Sequence, residues 1–249
     1  MLDVASWTTR LAGPARQVAG IAGPVVFTGA WIVSSLRQTG YPAAEIQLSG
    51  LAATDARDPW IMVAGFVVLG GCTVAFGAAL HDALSGRGDV GQGRWRGGVG
   101  QGRCRGGAGP APQLIQGAGL LTIAAGLLRR DRMLLTPGSV SWHNHAHDVI
   151  SAVIYADLVA AQVLLAARFG RDPGLGAEGR GSWRPWRPWL LASGLATGAA
   201  LVAFAADTSA AGAGVLQRTA VTIPLAAMAA VAARLLGTQF RTPARSGWP

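Results

Sequence analysis

Apolar residues fall into six long blocks along this chain, separated by shorter polar stretches. A helix that crosses a bilayer needs about 20 mostly apolar residues at 1.5 Å rise each. Six stretches meet that need: Gln17–Leu36, Trp60–Leu80, Ala111–Leu128, Ala146–Ala167, Trp189–Ala206 and Val215–Leu236. The pattern predicts an all-α, polytopic membrane protein, a bundle of six transmembrane helices occupying 17–236. A short segment, 1–16, precedes the bundle and a tail, 237–249, follows it. Met1–Arg16 has no apolar core and carries Arg10 and Arg16, so the first span is expected to stay as a signal anchor instead of being cleaved.

The polar stretches differ in charge, and the difference predicts an orientation. The N-terminus, the second and fourth connections and the C-terminal end hold 15 of the 21 arginines, and the other three connections hold 6. Positive charge is retained on the cytoplasmic side. Both termini are therefore expected in the cytoplasm, as an even number of spans also requires, in the inner (plasma) membrane of a bacterium. Trp60, Trp142, Trp183, Trp186 and Trp189 stand where spans begin, at the depth an indole prefers.

Composition narrows the class further. Of 249 residues, 51% are hydrophobic and 13% charged, with mean hydropathy +0.35, against roughly 25% charge in soluble domains. A soluble or disordered chain is excluded. The net charge of +9 comes from arginine alone, as there is no lysine, which looks like codon usage and says little about partners. Cys72 and Cys104 are too few for a disulfide framework and are read as free thiols.

Two inner connections are of low complexity. The segment 81–110 reads as a flexible loop with a tandem repeat, GQGRWRGG at 91–98 and GQGRCRGG at 100–107. Its arginines are expected to rest on anionic lipid headgroups, and no nucleic acid is expected as a partner. The other carries Trp-Arg-Pro twice, 183–188, which fits an interfacial anchor kept extended by proline until the span begins.

Ionisable groups within spans mark sites by default. Asp157 lies near the middle of the fourth span. The outer end of that span is denser: Trp142-His143-Asn144-His145-Ala146-His147-Asp148. If the stretch is helical, His143 and His147 share a face at the spacing that lets two imidazoles hold one metal, and a polar stripe continues through Ser151 and Tyr155. If it is extended, His143, His145 and His147 point one way. Either arrangement offers nitrogen ligands for zinc. The alternatives are acid–base chemistry by His147 with Asp148, and a structural polar cluster. Glu45, Ser49, Asp55, Asp58, Asp131, Asp207, Gln217 and Arg218 fall on the same side of the membrane, so any site is expected to face outward.

At these residues the chain resembles a family of six-helix prokaryotic membrane proteins known as domain-of-unknown-function family 998. The likeness rests on Gly23-Pro24 in the first span and the polar segment Glu45-Ile46-Gln47-Leu48-Ser49-Gly50. It continues in Asp131 after span three, His147 opening span four, and Gly214-Val215-Leu216-Gln217-Arg218 opening span six. It covers about Gly20 to Leu236. The resemblance implies fold and topology, and it implies no activity.

Three functions are compatible with these residues. The first is a non-catalytic bundle that interacts with membrane lipid or protein. The second is a membrane-embedded lipid hydrolase or transferase, metal-dependent or not, with His147, Asp148, Asp131 and Arg218 as its catalytic group. The third is a small proton-coupled transporter using Asp157, for which the two halves show no convincing similarity.

Overall fold

The computed structural model describes residues 4–85, 108–133, 141–171, 182–206 and 212–239, with side chains from residue 13 onward. The helices are α1 (Val4–Arg37), α2 (Pro59–Leu84), α3 (Ala111–Leu127), α4 (Trp142–Arg171), α5 (Trp186–Ala206) and α6 (Ala213–Gln239). No strand occurs among the described residues. Five helices are long and apolar enough to cross a membrane, and α3 is apolar but only 17 residues long. The protein is a multi-pass helical membrane protein in contact with lipid.

Each helix packs on its neighbours in sequence, and α1 packs back on α6. The six helices thus form a closed ring. In a bilayer no hydrophobic effect drives helices together, so close approach over small residues matters more. Gly70 of α2 and Gly119 of α3 face each other: a Cβ at Gly70 would meet the Gly119 carbonyl oxygen at 2.5 Å, and one at Gly119 would meet that of Gly70 at 2.7 Å. Gly20 of α1 sits as closely against Phe76 of α2 and Ala232 of α6. That contact sets α1 between the two.

Helix ends depart from the apolar blocks in informative ways. α4 begins at Trp142, so the histidine-rich stretch forms its first turns and is helical. α5 begins at Trp186 and includes Pro188. A proline is tolerated there because the first-turn N–H groups have no intrahelical acceptor. Trp183 also differs from an interfacial anchor: it is buried at 1% exposure, packed on Phe169 of α4 and Trp186, with the Arg234 guanidinium 5.6 Å over its ring. Trp60 and Trp142, by contrast, are 67% exposed, as indoles at the headgroup level should be. The Gly/Arg repeat and Cys104 lie outside the described residues.

Between α1 and α2 the chain folds inward instead of looping through solvent. A five-residue 3-10 turn, Leu48–Ala52, is buried at every position and closes one end of the ring. Beside it Arg37, the last residue of α1, pairs with Asp58 ahead of α2, Nε to Oδ2 at 2.7 Å. Asp58 holds a left-handed conformation, φ 52°, and Pro59 then starts α2 at the position proline prefers.

Candidate functional site: a capped cavity and its arginine

Three arginines from elsewhere in the chain hold the 3-10 cap and the segment before it. Arg129 donates to the carbonyls of Ala52 (3.1 Å) and Ala53 (3.0 Å). Arg218 of α6 donates to Ala43 O (2.5 Å), Ile46 O (3.0 Å), Gly214 O (2.8 Å) and the Tyr41 hydroxyl (2.5 Å), and lies over the Trp31 ring at 5.6 Å. Its guanidinium therefore ties the segment before the cap to α6. Burial raises the Tyr41 hydroxyl above its ordinary pKa, against the opposing pull of Arg218.

Arg130 is the third and most buried, with its side chain 5% exposed. It donates to Gln47 Oε1, to Ser49 Oγ (3.1 Å) and to Asn144 Oδ1 (3.2 Å). Its carboxylate partner is Asp148, 3.5 Å away and half-exposed. Burial lowers the guanidinium pKa, with Asp148 and Asp131 opposing. Asn144 is fully buried and bridges onward to Asp148 at 3.4 Å. Sequence reasoning counted Arg130 but passed over it as a site residue. The signal was present: Arg129, Arg130 and Arg132 cluster on the side that the positive-inside rule leaves poor in arginine.

His147 lies one turn below, buried at 3% exposure. Its Nδ1 is 3.0 Å from both Ala125 O and Leu128 O at the end of α3, carbonyls that the helix itself cannot satisfy. Facing two acceptors, Nδ1 must carry the proton, so in the neutral ring Nε2 is the unprotonated nitrogen. Asp148, one residue on, turns to Arg130 and Asn144.

Beneath the cap lies a cavity of about 70 Å³, several times what one water needs. Ser49, His147, Ser151 and Gln217 are polar groups toward its capped end, Tyr155 lies a turn deeper on α4, and most of the remaining lining is apolar, including Phe27, Phe66, Leu225 and Met228. Gln217 Oε1 accepts from Leu48 N at 2.5 Å, leaving its amide NH₂ for the cavity. Thr73 and Thr122 also line it, but each hydroxyl bonds back to its own helix. A second apolar cavity shares Leu158, Pro224 and Met228 with the first, so the lining continues toward the other end of the ring.

The remaining expected residues fall elsewhere. Asp131 accepts from Ser141 N (2.9 Å) and Ser141 Oγ (2.8 Å), which holds its carboxyl below the ordinary pKa. His143 is exposed and stacked on Trp142 at 3.8 Å, while His147 turns inward, so the two imidazoles occupy different surroundings. Among the described residues no group of three or more His, Cys, Asp or Glu is placed to hold a metal ion. Glu45 is exposed, and Asp157 is half-buried with Oδ2 3.5 Å from the Cβ position of Gly117. Neither lines the cavity. Asp207 lies outside the described residues.

The chain belongs to the family described as "protein of unknown function (DUF998)", whose profile matches residues 21–234. Searches of curated proteins and of solved structures give no match.

Proposed function

We propose that this DUF998 protein binds a membrane lipid inside its helical ring, with the polar head under the 3-10 cap and the hydrocarbon chain among α1, α2, α3, α4 and α6. The observation that carries this reading is the make-up of the cavity lining, mostly apolar with the polar groups Ser49, His147, Ser151 and Gln217 toward the cap. Such a pocket, mostly apolar with a few convergent polar groups, is the usual form of a small-molecule site. Ser151 and Tyr155 line the cavity, are half-buried and make no hydrogen bond with the described residues. A bound head would satisfy both.

Access from the bilayer is supported by α4. From Asp148 to Ala160 that helix has no buried residue, and α5 has none from Gly198 to Ala206. The ring is thus loosest beside the polar end of the cavity, while the pinned cap closes the end of the ring above it. Arginine distribution supports placing the cap on the outer face and both termini in the cytoplasm of a bacterial plasma membrane, with the inner arginines against anionic headgroups.

The test is lipid analysis of detergent-purified protein by native mass spectrometry. About one lipid should be retained per chain, and Ile154→Trp, which fills the cavity from α4, should release it without loss of folding. Wild-type protein that retains no lipid and takes none up from mixed micelles ends this reading.

One observation favours a second reading, catalysis on the bound lipid. His147 Nδ1 is fixed by carbonyls, leaving Nε2 as a proton acceptor in a cavity that also holds Ser49 and Ser151. A base oriented in this way is one part of an acyl-transfer site. Release of fatty acid by wild type but not by His147→Gln, with lipid still bound, would support it.

A further inference from the structure

We infer that the lipid held in the cavity carries an anionic head, a phosphate or a carboxylate, seated at Ser49 in front of Arg130. The inference rests on the lipid-binding reading above and specifies its ligand.

Arg130 stands one hydrogen bond behind the cavity wall. Ser49 lines the cavity and accepts from Arg130 Nη1 at 3.1 Å, so the hydroxyl's own proton is left to donate elsewhere. An acceptor seated on that proton at about 2.7 Å would receive a hydrogen bond polarised by the guanidinium. Chains of this kind strengthen one another in a medium of low dielectric.

The charge around Arg130 is incompletely matched. Gln47, Ser49 and Asn144 are neutral, and the one carboxylate paired with Arg130 among the described residues, Asp148, is 3.5 Å away with half its surface exposed. Asp131 acts on Arg130 through its charge but makes its hydrogen bonds with Ser141. Among the described residues no carboxylate lines the cavity. A buried cation in a membrane protein pairs with a counter-charge or marks a site for one.

Apart from His147, whose Nε2 is an acceptor in the neutral ring, the polar groups at this end offer hydrogens. Gln217 has its oxygen engaged by Leu48 N and offers an amide NH₂, and Ser151 and Tyr155 add two hydroxyls on successive turns of α4. Ser49, Gln217 and Ser151, from the cap, α6 and α4, can thus donate to one head, with Tyr155 a turn deeper. A phosphate or carboxylate accepts from several at once, whereas a glycerol hydroxyl both donates and accepts.

Competition binding to delipidated protein in detergent tests this, with four probes read by native mass spectrometry: palmitate, 1-palmitoyl lysophosphatidic acid, 1-monopalmitin and inorganic phosphate. The expected result is that one or both anionic lipids bind about tenfold or more tightly than monopalmitin. Ser49→Ala should shrink that preference to about threefold or less while the chain still folds. Arg130→Gln should abolish it, and where that variant fails to fold, Ser49→Ala and Gln217→Leu decide. Palmitate against lysophosphatidic acid identifies the head. Equal binding of all three lipids, or a preference unchanged in Ser49→Ala, overturns the anionic head and leaves the lipid reading standing. Phosphate binding without any lipid binding assigns the site to a free anion and overturns both, and no binding by any probe also overturns both.

Discussion

Arg130 Nη1 lies 3.1 Å from Ser49 Oγ, joining the end of α3 to the 3-10 cap across 81 positions of sequence. The same guanidinium reaches Gln47 and Asn144, so one side chain fastens the cap to the first turn of α4. Substituting Arg130 by Met would leave the buried oxygens of Ser49 and Asn144 without their donor. We expect a loss on the order of 3 kcal/mol, read as thermal unfolding in detergent. Arg130→Lys should recover little, because one ammonium cannot reproduce a planar fork reaching several acceptors.

The α2–α3 seam gives a sharper steric expectation. Gly70→Ala places a methyl 2.5 Å from the Gly119 carbonyl oxygen and 2.5 Å from Ile123 Cγ1. Backbone cannot move aside as a flexible side chain can, so the two helices must separate. Destabilisation of about 1–3 kcal/mol is expected. Gly71→Ala, where a methyl meets nothing within 4 Å, should be neutral or slightly stabilising. Equal melting temperatures for the two variants would contradict the seam.

How far the sequence revealed this architecture depended on which physical signal each part carries. Helices surrounded by lipid outside and by one another inside are apolar over most of their surface. Length and hydropathy therefore located all six, including the short α3. Helix ends were less legible, because Trp142–His145 and Trp186–Pro188 are polar or proline-bearing turns that extend the helices beyond the apolar blocks. His147, Asp148 and Gln217 stood out as polar groups at the outer ends of spans, and Ser49 in the first outer connection. Arg130 did not, since its partners come from positions 47, 49, 144 and 148. No local pattern encodes such a convergence. The cap was equally hidden: Leu48–Ala52 reads as part of a polar connection, and its burial rests on core packing and on Arg129, Arg130 and Gln217 from distant positions.

Asp131 supplies a pH dependence. Ser141 donates to it twice, holding its carboxyl below the ordinary value. A group whose folded pKa is depressed contributes stability that is fully present above its unfolded pKa, about 3.9, and lost as pH falls through the folded value. Asp131→Asn should therefore melt below wild type from about pH 5 upward, and the difference should shrink as the pH falls below the unfolded value of about 3.9 and through the lower folded one. Ser141→Ala should behave alike. A gap that persists in acid would mean that the carboxyl is not linked to folding.

Arg218 separates a structural role from an anion-binding one. Three carbonyls and the Tyr41 hydroxyl occupy its Nη1 and Nη2, and the Trp31 and Tyr41 rings lie 5.6 and 5.7 Å from its centre. Arg218→Ala removes these bonds, and we expect a loss of about 1–3 kcal/mol. Tyr41→Phe deletes a single bond of the set and should lose about 1 kcal/mol. Because the two side chains touch, the double variant Tyr41→Phe/Arg218→Ala should lose less than the sum of the single losses. The choice among lipid heads should stay unchanged in Arg218→Ala, since the anion faces Arg130 through Ser49 and not Arg218. Thermal unfolding of the four proteins, followed by the palmitate and monopalmitin competition on Arg218→Ala, checks both halves. A selective loss of anionic lipid in Arg218→Ala, at unchanged melting temperature, would move the head to α6 and away from the cap.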